Sequence, residues 1–136
     1  MTPLPSPLND VFASWSQTAA ATALQCRGLF LDAAARLETG PLEESLKWGQ
    51  PAWRPSRPRT GSTLRMGWDA AEPDALALFV DCKTDLAARM QETYPTLMAH
   101  DGRRRMGVSL SSPLPQQAIA HLAEMTFSYH RAKRSG

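Results

Sequence analysis

A chain of 136 residues encloses one ordinary hydrophobic core, since single cores span about 50–200 residues. Apolar residues at 43% and charged residues at 21% exclude a disordered or collagen-like chain, and no run approaches the roughly 20 apolar residues of a membrane-spanning helix, because Arg27, Asp32 and Arg36 interrupt the best candidate. The net charge of +2 hides opposed blocks, about −2 over residues 1–50, +4 over 51–65, −5 over 66–101 and +5 over 102–136, and this mixed pattern disfavours a dedicated nucleic-acid binder.

Residues 1–10 carry Pro3, Pro5 and Pro7 without an apolar period, which predicts an irregular tail. The domain proper is expected over 11–133, followed by a basic tail at 134–136. Phe12, Trp15, Ala19, Ala23, Cys26, Phe30, Ala33 and Leu37 recur at steps of three and four, the spacing of one face of a helix reaching about Glu38, with Gly40 as its stop. Pro41, Glu43 and Glu44 suit the first turn of a second, short helix anchored by Leu42 and Leu46.

The period then falls to two. Proline at 51, 55 and 58 confines Ala52 and Trp53 to a short edge strand, because proline cannot donate to a ladder. Leu64, Met66 and Trp68 form one alternating set, and Leu76, Leu78, Val80 and Cys82 another. Thr84 is placed to cap a third helix with Leu86, Met90 and Tyr94 on one side and Pro95 at its end. Asp101-Gly102 signals a hairpin with a type I′ turn, after which Met106, Val108 and Leu110 face the core. Pro113 and Pro115 introduce a last helix with Ile119, Leu122, Met125 or Thr126, and Tyr129 inward. The order ααβββαββα predicts a single α+β domain, an antiparallel sheet of about five strands covered by helices on one face.

Signals for chemistry are sparse. His100, His121 and His130 stand in no local signature with a nucleophile, neither cysteine pairs at zinc spacing, and no Walker loop, dinucleotide fingerprint or H-E-x-x-H is present, so no catalytic residue and no cofactor is assigned. Cys26 and Cys82 both read as core-facing small apolar residues. Two cysteines, and a start without a basic stretch leading into an apolar run, predict a cytoplasmic protein without a disulfide framework. The dispersed acids Asp69, Glu72 and Asp74, in a connection between strands, are the only candidates for a metal such as iron. Trp48, Trp53 and Trp68 bracket the basic segment 54–65; Trp68 is expected in the core and Trp48 at a buried joint. On the sheet face away from the helices, Arg65, Phe79, Asp81 and Arg105 come together, either as an Arg65–Asp81 cross-strand pair or as a site for a carboxylate or phosphate.

The segment 44–53, Glu-Ser-Leu-Lys-Trp-Gly-Gln-Pro-Ala-Trp, resembles the E-x-hydrophobic-K-W-G-x-P-x-aromatic signature of the YdhG-like family, domain of unknown function 1801. Blocks at 61–68, 79–84, 101–104 and 129–130 are similar, in the same order, to those of a bacterial branch of that family, over roughly residues 14–133. The resemblance implies the same α+β domain and gives site candidates at Lys47, Trp48, Gly49, Pro51, Thr63, Arg65, Cys82, Thr84, Arg104 and His130. Polar residues in these blocks without a catalytic set point to a small binding or accessory domain that holds a small anionic ligand or a protein partner through an Arg- and Trp-containing site, monomeric or dimeric, with no membrane partner. Frataxin-like iron chaperoning in some relatives supplies the alternative, and nucleic-acid contact through the arginine blocks at 54–65, 103–105 and 131–134 a further one. The sequence departs from the pattern at Arg103, where asparagine is usual, and its first helix offers chiefly Asp32 and Glu38 as acids.

Overall fold

The computed structural model describes residues 3–135; Met1, Thr2 and Gly136, parts of the expected tails, lie outside the described residues. Along the chain run α1 (Ser6–Ala13), α2 (Gln17–Leu37), β1 (Leu42–Lys47), β2 (Gln50–Pro55), β3 (Leu64–Gly67), β4 (Ala75–Val80), α3 (Leu86–Thr93), β5 (Ala99–His100), β6 (Arg105–Ser109), α4 (Gln116–Phe127) and α5 (Tyr129–Ser135). The strands form one antiparallel sheet in the order β1-β2-β3-β4-β6-β5. The chain is thus an α+β domain with helices on one face, and the described residues form six strands where about five were expected.

Four local expectations are corrected. The proline-rich start is helical from Ser6, because Pro7 occupies the first turn, where its missing N–H is harmless, and Leu8 and Phe12 are buried in the core. The long helix therefore does not run from Phe12: Ser16 starts α2 by accepting a hydrogen bond from the Ala19 N–H at 3.1 Å, and Glu38 ends it in the left-handed conformation. Residues 42–47 are a strand and not a helix, so β1 is the edge and β2 lies inside the sheet. Pro51 and Pro55 are tolerated there because β2 pairs with β3 only at Ala52 and Trp53. Finally, α5 continues through Ser135, so residues 134–135 belong to a helix and not to a tail.

The inward face of the sheet carries Leu64, Met66, Leu76, Leu78, Val80, Met106 and Val108, which share one core with Phe30 of α2, Met90 of α3 and Ile119, Leu122 and Phe127 of α4. Trp53 joins strand to helices: its ring lies 5.0 Å from Phe30, edge on, and Phe30 lies 6.2 Å from Phe127. Each such aromatic pair adds about 0.5–1.5 kcal/mol beyond its buried area. The cross-strand partners Ala52, Arg65, Phe79 and Arg105 line up on the opposite face, which the helices leave open.

The hairpin of β5 and β6 forms as expected, by other means. Only Gly102 has positive φ, and the four-residue loop is organised by the Asp101 carboxylate, which accepts from the backbone N–H groups of Arg103, Arg104 and Arg105 at 2.8–2.9 Å. No helix is long and apolar enough to cross a membrane among the described residues.

Candidate functional site

The segment 44–53 is a β-hairpin, and its two-residue alternation divides it by face. Lys47 pairs with Gln50, so the turn is Trp48-Gly49, with φ +56° and +76°. Positive φ at both positions is the type I′ geometry that matches strand twist. The turn chemistry expected at Asp101-Gly102 therefore occurs here. Trp48 is 90% exposed, which overturns its expected burial; Trp53 is the fully buried tryptophan of the segment.

Glu44 and Trp53 face each other across the hairpin on the core side. Trp53 Nε1 donates to Glu44 Oε2 at 2.9 Å, and Arg27 of α2 grips both carboxylate oxygens, Nε to Oε2 at 2.6 Å and an Nη to Oε1 at 2.9 Å. The same guanidinium donates to the Pro3 carbonyl at 2.9 Å, tying down the N-terminus. The two charged side chains are only 9% and 8% exposed. Partial burial pushes the Glu44 pKa up, but the hydrogen bonds from Arg27 and Trp53 outweigh it and hold the carboxyl below its ordinary value. Reading Glu44 as a helix-start acid missed this network, because Arg27 is distant in sequence and nothing local announces the pairing.

Lys47 lies on the other side of the hairpin, on the parity of Ala52 and Arg65. Lys47, Trp48, Thr63, Arg65, Asp81, Cys82 and Arg104, with Val80, line a cavity of about 220 Å³. Arg65 is fixed in direction: one Nη donates to Gln50 Oε1 at 2.6 Å, and the guanidinium lies over the Phe79 ring, 5.2 Å from its centroid. The cross-strand neighbour of Arg65 is Phe79, and no Arg65–Asp81 ion pair forms among the described residues. Partial burial and the Arg104 charge lower the Arg65 pKa, while Asp81 opposes them. Among the described residues none of the three cations Lys47, Arg65 and Arg104 is in an ion pair.

Six of the candidates thus converge, namely Lys47, Trp48, Thr63, Arg65, Cys82 and Arg104, while Gly49 forms the turn beside them. Three do not. Pro51 is buried within β2, and Thr84 serves the β4–α3 turn, donating to the Asp81 carbonyl at 2.7 Å and accepting from the Leu86 N–H at 3.4 Å. Thr84 is not the residue at the cap of α3, which is Asp85. His130 faces a neighbouring cavity of about 720 Å³ with Arg57, Arg59 and Lys133, which touches the first through shared Thr63 and Asp81. Cys82 is exposed, contrary to its expected core placement, because β4 ends at Val80 and the chain is already turning toward α3. Cys26 is buried as expected, and burial pushes its thiol up to about 12.

The metal candidates behave differently. Asp69 accepts from the Ala71 N–H at 2.9 Å within its own turn, and Glu72 lies 3.8 Å from Arg105. Among the described residues no three His, Cys, Asp or Glu side chains are grouped so as to hold a metal ion, and Asp69, Glu72 and Asp74 therefore do not fit an iron centre. Nor is the core-facing expectation for Trp68 met in full: its ring is half-buried and its Nε1 donates to the Pro73 carbonyl at 3.1 Å.

Compared with known proteins, the chain matches no family model, no curated protein and no solved structure.

Proposed function

We propose that this protein is a small cytoplasmic binding or accessory domain of the YdhG-like family that holds a small anion at Lys47, Arg65 and Arg104. The observation that carries the reading is three cations around one 220 Å³ cavity, faced by the single carboxylate of Asp81 and engaged in no ion pair. Two guanidinium groups close enough to depress the basicity of one of them repel each other, and an anion between them removes that repulsion. Arginine suits the task because its planar fork meets carboxylate or phosphate with two hydrogen bonds. Thr63 supplies a hydroxyl at the same wall. The family-like blocks support the reading in part: of their polar members, Lys47, Thr63, Arg65 and Arg104 line the cavity, while Thr84 and His130 lie outside it.

The test is thermal stability of the full chain titrated with inorganic phosphate, acetate and a short dicarboxylate. Binding to the folded state alone stabilises by about 2.7 kcal/mol at a hundred times the dissociation constant. Arg104→Ala, at an exposed position, is expected to weaken the response without lowering stability, and Arg65→Ala to abolish it. A flat response to all three anions, or equal responses in both variants, would refute the proposal.

A further inference from the structure

The site has an anion pocket on one side and an indole on the other. A cavity of about 220 Å³ falls below the about 300–1,000 Å³ of typical small-molecule pockets, so it suits a charged head group with the rest of the ligand outside its mouth. Trp48 is the one aromatic residue among those lining it. It is also the most exposed of the large apolar side chains that stand open to solvent, at 90% against 53% for Leu97, 46% for Leu24 and 39% for Leu46.

Packing within the folded chain does not account for an indole at this position. At φ +56° the first turn residue occupies the left-handed region that asparagine, aspartate and glycine enter at little cost. Tryptophan there carries a steric penalty and recovers almost no burial. What it does gain is position, as a flat π-surface held by a tight turn beside Lys47, Arg65 and Arg104. The Arg65 guanidinium is itself braced between Gln50 and Phe79, so the anion-binding half of the site is set before a ligand arrives.

We infer that the ligand of this site is an anion joined to a flat aromatic ring, its charged group on Lys47, Arg65 and Arg104 and its ring stacked on Trp48. This rests on the anion-binding reading above and adds the second half of the ligand. The shared chemistry has two sources, a nucleoside monophosphate or an aromatic carboxylate, and the probes separate them.

The experiment is calorimetric and tryptophan-fluorescence titration of the full chain with adenosine 5′-monophosphate, inorganic phosphate, 2-naphthoate and acetate. For one of the two pairs the ring-bearing anion should bind about tenfold tighter or better than its ring-free counterpart, as base–aromatic stacking gives. Trp48→Ala should remove that advantage, while Trp48→Tyr restores part of it. Thermal melts of both variants confirm folding. An advantage for the monophosphate assigns the nucleotide source, and one for naphthoate assigns the carboxylate source. If both ring-bearing anions bind no tighter than phosphate and acetate, or if Trp48→Ala keeps the advantage, the ring-stacking inference is overturned while anion binding stands. If none of the four binds, both are overturned.

Discussion

Replacing Trp48 by asparagine separates what the turn needs from what the site needs. The folded chain should become more stable. Indole truncation removes little buried surface, because Trp48 is 90% exposed, so the transfer cost is small. Against this, the left-handed conformation at φ +56° costs a residue with a bulky Cβ substituent roughly 1–2 kcal/mol, of which asparagine recovers a part by bonding locally to its own backbone. Asn-Gly is also the dipeptide that type I′ turns favour, and Gly49 already supplies the second position at φ +76°. The net gain is expected at about 0.5–1 kcal/mol, or about 2–4 °C in the melting temperature of a domain this size. Urea denaturation read by circular dichroism gives the free energy, and an unchanged slope shows that only stability moved. The same variant should lose affinity for ring-bearing anions. Destabilisation by Trp48→Asn of more than about 0.5 kcal/mol would refute the reasoning, since it would mean that the indole makes folded-state contacts worth more than its strain.

Glu44→Gln removes the carboxylate from its buried pair with Arg27 and should cost about 3–5 kcal/mol in denaturant unfolding, whereas Glu44→Leu combined with Arg27→Met should recover most of the loss. Native Glu44 and Asp101 both titrate below their ordinary values of 4.5 and 3.8, Asp101 at about 2 because the backbone N–H groups of Arg105, Arg104 and Arg103 outweigh its partial burial. Their contribution to stability is therefore complete above about pH 4.5 and lost as the pH falls through the folded values; a stability curve that stays flat between pH 4.5 and 2 would contradict this. Gly61→Ala drives a Cβ into the Phe127 carbonyl oxygen, next to the 2.8 Å bond from the Ser62 N–H to the Thr126 carbonyl, and should cost more than about 2 kcal/mol as the loop is forced off α4. In the native protein a thiol reagent should label Cys82 and not Cys26, and inorganic phosphate should slow the labelling; rapid modification of both thiols would mean that the α2 face opens readily.

The parts of the fold that were legible in sequence are those where one period runs uninterrupted and its apolar set meets one core. Leu64 and Met66, Leu76 to Val80, and the stripe of Ile119 and Leu122 all bury the residues their spacing selects. The segment 42–47 misled because Pro41, Glu43 and Glu44 satisfy a helix start locally, while its strand character depends on Glu44 being neutralised from α2 and on the two-residue turn that directly follows it. Likewise, Cys82 follows the alternation of β4 in sequence but lies past the point where the strand stops; parity carries no information once the ladder has ended.

The site was legible by residue and not by role, and the hairpin shows why. In Glu-Ser-Leu-Lys-Trp-Gly-Gln-Pro-Ala-Trp, alternation turns Glu44, Pro51 and Trp53 toward the helices and Lys47 toward the open face, with Trp48 and Gly49 at the turn. Half of the signature is therefore explained by folding: a carboxylate bound to an indole and a guanidinium, a proline placed just before the two-residue β2–β3 pairing, and a glycine at positive φ. Folding does not explain Lys47 or Trp48. Removing either leaves the Glu44 network and the core untouched, yet both stand at the cavity that also receives Arg65 from β3 and Arg104 from the loop before β6. Three separate segments bring these cations to one cavity with only the Asp81 carboxylate among its lining, and an anion bound there would offset the repulsion between Arg65 and Arg104. An exposed tryptophan at positive φ, beside three cations that make no ion pair among the described residues, is what the fold alone leaves unexplained, and the proposed ligand would account for both.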